Sequence, residues 1–213
     1  MNKYDYELKR GNRRLISIKI SEDNSITVSC NWRTPKEQVE KFLLEKSAWI
    51  DKNLAKNKTK AERFADILSY KQILVSGNKV PLFIDGGYEM SFSGVHISSI
   101  SELKDLFIKN LSEKFLNIFK SWSDKTGLKC KNVSFKNYKS RWGCCDRYGN
   151  IVFNYKLLML SESLWDYVIL HELCHTIYLD HSKNFYSLIC DYMPQYKYLL
   201  KELKIYGFIS HLY

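Results

Sequence analysis

The residues of this chain best equipped for chemistry are His171-Glu172-Leu173-Cys174-His175, followed six positions later by His181. Side chains four apart share one face of a helix, so His171 and His175 can turn imidazole nitrogens toward a single metal ion with Glu172 beside them. A catalytic zinc site takes three protein ligands and keeps a fourth position for water. His181 is the third ligand the spacing favours, with Asp191 or Glu202 as the alternatives. Glu172 then acts on the water, not the metal, accepting its proton during attack on a carbonyl and passing it to the departing amine. Random placement of five His and 12 Glu in 213 residues would produce this pattern only about once in 150 such chains. Asp180 reads as a partner for a ligand's second ring nitrogen or as a helix-end residue, not as a ligand. Tyr178, Tyr192 and Arg141 are the candidates for stabilising an oxyanion.

The elements that must position these groups can be traced in order. Arg14 to Ile20 and Ser25 to Trp32 alternate as a hairpin, and Thr34-Pro35-Lys36-Glu37 supplies an N-cap, a first-turn proline and a capping-box glutamate. The helix that follows runs to about Asn57 and carries Val39, Phe42, Leu43, Trp49, Ile50 and Leu54 on one stripe, with Trp49 assigned to the core. Residues 58–71 read as a connector. Residues 73–85 and 88–98 read as strands of a hairpin or meander about Gly86-Gly87, with His96 an exposed polar residue. A long helix over 101–125 stops near Gly127.

A small sheet is expected from 132–138, 141–145 and 150–155, turning at Arg147-Tyr148-Gly149-Asn150. Ser161 or Ser163 caps the next helix, which is apolar nearly all round from Leu164 to Ile177 and therefore buried. It carries the His-Glu-His segment. Ser182 can cap one more helix, so the chain can reverse there and bring His181 back toward the first two histidines.

The order and spacing of several further segments are more specific than the histidine motif. They are Lys139-Ser140-Arg141-Trp142-Gly143, Gly149-Asn150-Ile151, Asn154-Tyr155-Lys156-Leu157, Asp166-Tyr167-Val168-Ile169-Leu170 leading into His171, His181-Ser182-Lys183-Asn184-Phe185, and Met193-Pro194-Gln195-Tyr196. Together they resemble the YgjP-like metallopeptidases, a zincin-type group related to SprT-like and WLM-like proteases. That resemblance implies a zincin fold, one Zn2+ on His171, His175 and His181, Glu172 as catalytic base, and a protein or peptide substrate. The chain departs from the family pattern at Cys144, where serine is usual, and at Cys174. Tyr178 stands where metzincins have glycine, so that clan is unsupported. The expected architecture is α+β: a β-hairpin and helix module over 1–99, then a zincin-like metallopeptidase domain over 100–213 with a small sheet and an active-site helix.

Composition sets the surroundings. Apolar residues make up 45% and charged residues 26%, values of an ordinary globular chain. No apolar stretch reaches bilayer length and Met1 to Arg10 lacks a secretory apolar run, so a soluble cytoplasmic protein without membrane contact is expected. The six cysteines lack a disulfide-scaffold spacing and read as reduced, with Cys144 and Cys145 as buried structural thiols. The net charge of +10 concentrates in residues 1–60 and 120–150. The second block sets Lys129, Lys131, Lys136, Lys139, Arg141 and Arg147 among Phe135, Tyr138, Trp142 and Tyr148; the basic blocks read either as solvated faces or, between residues 129 and 147, as a surface for nucleic acid or another polyanion. One rival function is a non-enzymatic nucleic-acid-binding protein that zinc merely stabilises; the resemblance to SprT-like and WLM-like proteases implies another, a protease acting on DNA-bound proteins. Hydrolysis of another kind of amide is a third.

Overall fold

Ile26, Val28 and Cys30 alternate with polar neighbours, and that period of two turns all three into one apolar cluster with Val39, Leu43 and Ile50. A computed structural model describes residues 3–21 and 23–213 and divides the chain into two compact units, Met1–Ala65 and Asp66–Tyr213. It is 48% helical and 21% strand, the mixed α+β composition expected.

In the first unit, β1 (Glu7–Gly11), β2 (Ser17–Ile20) and β3 (Ile26–Asn31) form a sheet in the order β1-β3-β2. The β2–β3 pair is the expected antiparallel hairpin, whereas β1 adds in parallel on the other side of β3. Arg10 explains part of that addition, since its guanidinium donates to the carbonyls of Asn31, Trp32 and Thr34 at 3.4, 3.0 and 2.7 Å. The expected single helix is two, α1 (Lys36–Glu45) and α2 (Ser47–Arg63), broken at Lys46. Pro35 holds the cap position in extended geometry and no side chain caps α1, so Thr34 does not act as predicted. The break also turns the apolar stripe: Ile50 is buried, but Trp49 is 48% exposed and is not a core residue. A single turn, α3 (Ala65–Leu68), lies at the division between units.

The second unit opens with β4 (Gln72–Val75), β5 (Asn78–Ile84), β6 (Glu89–Met90) and β7 (Val95–Ile97), in the order β4-β5-β7-β6. The hairpin turn is Ser76-Gly77, both at positive φ (49° and 87°), so the expected long strand over 73–85 folds back on itself. Gly86-Gly87 does not close a hairpin, because β5 pairs with β7 in parallel. Backbone N–H groups of Ser76 and Gly77 donate to the carbonyls of Leu158 and Met159. Those bonds tie this sheet to the C-terminal elements, and the division therefore falls at residue 65 rather than at 99.

α4 (Leu103–Thr126) ends at Gly127 in left-handed geometry, as its sequence predicts. It places Phe115 against Phe153, Phe135 and Trp165, with ring centroids 4.9, 5.3 and 5.6 Å apart. β8 (Asn132–Lys136), β9 (Gly143–Cys145) and β10 (Asn150–Asn154) form the small sheet in the order β8-β10-β9. A buried 3₁₀ turn over Tyr155–Met159 then leads to α5 (Glu162–Cys174), which is buried nearly all round; Ser161 holds its N-cap position, but neither it nor Ser163 makes a side-chain cap bond. The chain closes with α6 (Lys183–Tyr192), α7 (Tyr196–Ile205) and α8 (Ile209–Leu212). Among the described residues, no helix is long and apolar enough to cross a membrane.

Candidate metal centre

α5 stops one residue short of the second histidine. His175 is its C-cap, and Thr176, Ile177 and Tyr178 donate back to the carbonyls of Leu173 and Cys174. Ile177 is 59% exposed as a result, although its sequence position suggested the buried helix. Asp180 accepts from the backbone N–H of Ser182, and Ser182 accepts from Phe185 as the N-cap of α6. These two turns reverse the chain and return His181 to the face of α5 that carries His171 and His175.

The three imidazoles converge. His171 Nε2 lies 3.2 Å from His175 Nε2 and 3.2 Å from His181 Nε2, and one ligand atom from each residue falls within 4.8 Å of the others. Two imidazole nitrogens held tetrahedrally at zinc distances of 2.0–2.1 Å would stand about 3.3 Å apart, so the spacing suits that ion. His175 has its Nδ1 2.8 Å from the Tyr178 carbonyl, which fixes the proton there and leaves the Nε2 lone pair free. Burial, reinforced by the neighbouring histidines, pushes His171 down to about 3, and burial also lowers His175. Imidazole nitrogens that meet in this way suit a cation between them. Phe185, fully buried, lies against all three rings at 4.9, 4.5 and 5.0 Å between centroids. Only the pattern of one apolar residue three after the Ser182 cap hinted at it.

Glu172 is 4% exposed, and its Oε2 is buried without a hydrogen-bond partner in the protein. Burial pushes its carboxyl up to about 8, against the opposing pull of the Arg141 charge. The cleft it faces measures about 380 Å³. Its polar side is formed by the histidines, Glu172 and Arg141, its apolar side by Val168 of α5 and by Leu200 and Leu203 of α7.

Of the three oxyanion candidates, only Arg141 lines this cleft; Tyr192 donates instead to the Thr126 carbonyl, and Tyr178 serves His175 through its backbone. Neither Asp191 nor Glu202 joins the histidine cluster among the described residues. Asp180 holds the turn at Ser182 and makes no contact with a ligand's second nitrogen, while His171 Nδ1 is buried without a partner. His96 pairs with Asp85 at 2.6 Å, and His211 is exposed on α8.

Cys144 and Cys145 are half-buried in the edge strand β9 and line the cleft, so they are not the buried core thiols expected. Burial, with the Glu172 charge next, pushes the Cys145 thiol up to about 11. Cys144 Sγ lies 3.5 Å from the Tyr138 hydroxyl. The six basic residues between 129 and 147 are all exposed, with Arg147 over the Tyr148 ring and Arg141 over that of Tyr138.

A family model described as YgjP-like, metallopeptidase domain, matches residues 14–206. Two solved structures are similar to part of the chain. One is the crystal structure of the metallopeptidase zymogen of Pyrococcus abyssi abylysin, 21% identical, covering 42% of this chain and 90% of that one with a TM-score of 0.39. The other is the metallopeptidase zymogen of Methanocaldococcus jannaschii jannalysin, 18% identical, covering 42% and 92% with a TM-score of 0.38. No curated protein matches the chain with significance.

Proposed function

The chain belongs to the YgjP-like metallopeptidase family, and from that premise we propose a zinc-dependent peptidase in which His171, His175 and His181 hold one Zn2+ and Glu172 is the general base. The observation that carries this reading is the convergence of three imidazole Nε2 atoms beside a buried carboxylate oxygen that the protein leaves without a partner. Bound there, zinc would polarise the scissile carbonyl and bring the pKa of a water to about 7.

Glu172 Oε2 takes one proton from the water as its oxygen bonds to the carbonyl carbon. The same carboxyl returns that proton to the amide nitrogen as the C–N bond breaks, leaving a carboxylate and an amine. Burial raises the affinity of this carboxylate for the proton it must accept, and the charge of a bound metal would oppose that shift and keep it ionised before the attack. Arg141, with no carboxylate partner among the ion pairs of the described residues, adds positive potential where oxyanion charge develops.

A substrate strand cannot pair with Asn150–Asn154, because β10 is the central strand with both edges taken. The open edge beside the cleft is that of β9, and pairing there would lay a peptide across the histidine cluster. Val168, Leu200 and Leu203 favour an apolar side chain next to the scissile bond. Six unpaired cysteines fit a reducing compartment such as the cytoplasm.

Glu172→Gln should keep one zinc per chain and lose peptide cleavage by at least about 100-fold. Metal stoichiometry measured beside a peptide-cleavage assay tests this, and full activity in the variant would remove Glu172 from the mechanism. A second reading adds nucleic acid as a partner. Its support is the exposure of all six basic side chains between 129 and 147 beside the exposed ring of Tyr148.

A further inference from the structure

Gly143 begins β9, at the point where this edge strand meets α5. It is not among the residues with positive φ, so its backbone is open to any amino acid and conformational freedom does not explain the glycine. Space does. A β-carbon built on Gly143 would stand 2.7 Å from Glu172 Oε1, 2.8 Å from its Cγ and 2.9 Å from its Cδ. Real β-carbons do not approach other heavy atoms so closely, so a methyl group at 143 and the Glu172 side chain as it now lies exclude one another.

We propose that Gly143 is a positioning residue: the bare Cα of the edge strand is the seat against which the Glu172 carboxylate is held beside the three histidines. The inference rests on the role proposed above for Glu172. Several features make the seat effective. Glu172 is buried, its Oε2 has no hydrogen bond to hold it, and contact with the strand therefore replaces the polar anchor a carboxylate usually has. The strand is itself fixed on its other edge, where Gly143 pairs with Phe153 and the Asn154 N–H donates to the Trp142 carbonyl at 2.8 Å. Phe153 is fully buried against α4, so β9 has little room to retreat. Of the two partners in the exclusion, the carboxylate has the freer path, along the cleft and away from its working position.

Gly143→Ala tests the seat through two readouts. The first is kinetic. A displacement of the general base by about 1 Å costs roughly 100-fold in rate, so kcat should fall by about that factor while zinc affinity stays within about threefold, since the metal ligands do not touch residue 143. The second readout needs no activity. In the wild-type background the added methyl should lower Tm by roughly 2–8 °C, whereas in a Glu172→Ala background, where the atoms it would meet are gone, it should lower Tm by less than about 1 °C.

Unchanged kcat in Gly143→Ala overturns the proposal, and so does an equal loss of Tm in both backgrounds, which would place the crowding elsewhere. If the zinc-loaded wild type cleaves no peptide, the peptidase reading fails, but the Tm coupling still decides whether Gly143 seats Glu172. Should Gly143→Ala alone fail to fold, recovery of folding in Gly143→Ala/Glu172→Ala supports the seat, and failure of that double variant overturns it.

Discussion

Glu172 and Lys156 are both ionisable side chains taken out of water, and the protein handles them in opposite ways. Glu172 keeps an oxygen without a protein partner beside the cleft, and in the mechanism proposed above that desolvated carboxyl exchanges the proton. Lys156 is 1% exposed and far from any such use: its ammonium donates to the Ser210 carbonyl at 2.8 Å, and burial, helped by the charge of Lys139, pushes it down to about 8. The bond joins the turn after β10 to α8, and Ser210 in turn donates to the Lys139 carbonyl just upstream of Arg141. A lysine with a depressed folded pKa carries its full burial penalty below pH 8, where both folded and unfolded chains are protonated. Between pH 8 and about 10.4 the unfolded chain binds the extra proton, so this residue's contribution to stability rises with pH. Buried Tyr155 and Tyr167 and half-buried Tyr213 are raised by desolvation and act in the opposite sense above about pH 10, which makes a difference measurement necessary. The Tm of Lys156→Met minus that of wild type should be most favourable to the variant below pH 8 and decline by pH 10. A flat difference across that range would show that Lys156 does not titrate there.

Among the elements, the turn between α5 and α6 does the most for the site, because it converts a two-histidine helix face into a three-histidine cluster. Ser182→Ala removes the N-cap bond to Phe185, at a cost of about 1 kcal/mol. It also loosens the turn that presents His181, so zinc affinity measured against a competing chelator should drop by about 10-fold, an effect comparable to losing a partner that orients a ligand. Unchanged affinity would mean that Phe185 alone holds the imidazole in place. The sequence was a good guide to α4, α5 and this turn because their signals are local: apolar spacing, Gly127 after the last turn, Ser182 before the next. The grouping of His171, His175 and His181 was legible for the same reason. β1 was not, since Glu7-Leu8-Lys9-Arg10-Gly11 has no alternation and owes its place to β3 and to carbonyls that Arg10 reaches more than twenty residues away. The order β8-β10-β9 and the parallel pairing of β5 with β7 are also long-range outcomes that a run of residues does not encode. Gly143 belongs to this second group, because the space around a Cα exists only once a strand and a helix have met.

At the scale of the whole molecule, a net charge of +10 is a property of distribution as much as of amount. Lys129, Lys131 and Lys136 are exposed on and just before β8, the edge of the small sheet opposite β9, so the charges lie on the strand farthest in sheet order from the cleft-lining edge. That separation allows polyanion contact and peptide cleavage to be varied independently. Binding to duplex DNA carried by such side chains should fall linearly on a plot of log K against log salt, with a slope near −0.9 per phosphate contact, and should not depend on base sequence. Lys129→Glu/Lys131→Glu/Lys136→Glu should then weaken binding by at least about 10-fold at low salt and flatten the slope by about 3. Hydrolysis of a small neutral peptide should be unchanged, because none of the three residues lines the cleft. If the triple variant binds as well as the wild type, the block over 129–136 is a solvated face and the second reading loses its support. If instead peptide hydrolysis falls along with DNA binding, β8 and the cleft are coupled through β10, whose Phe153 packs on α4 from one face while its edge holds β9.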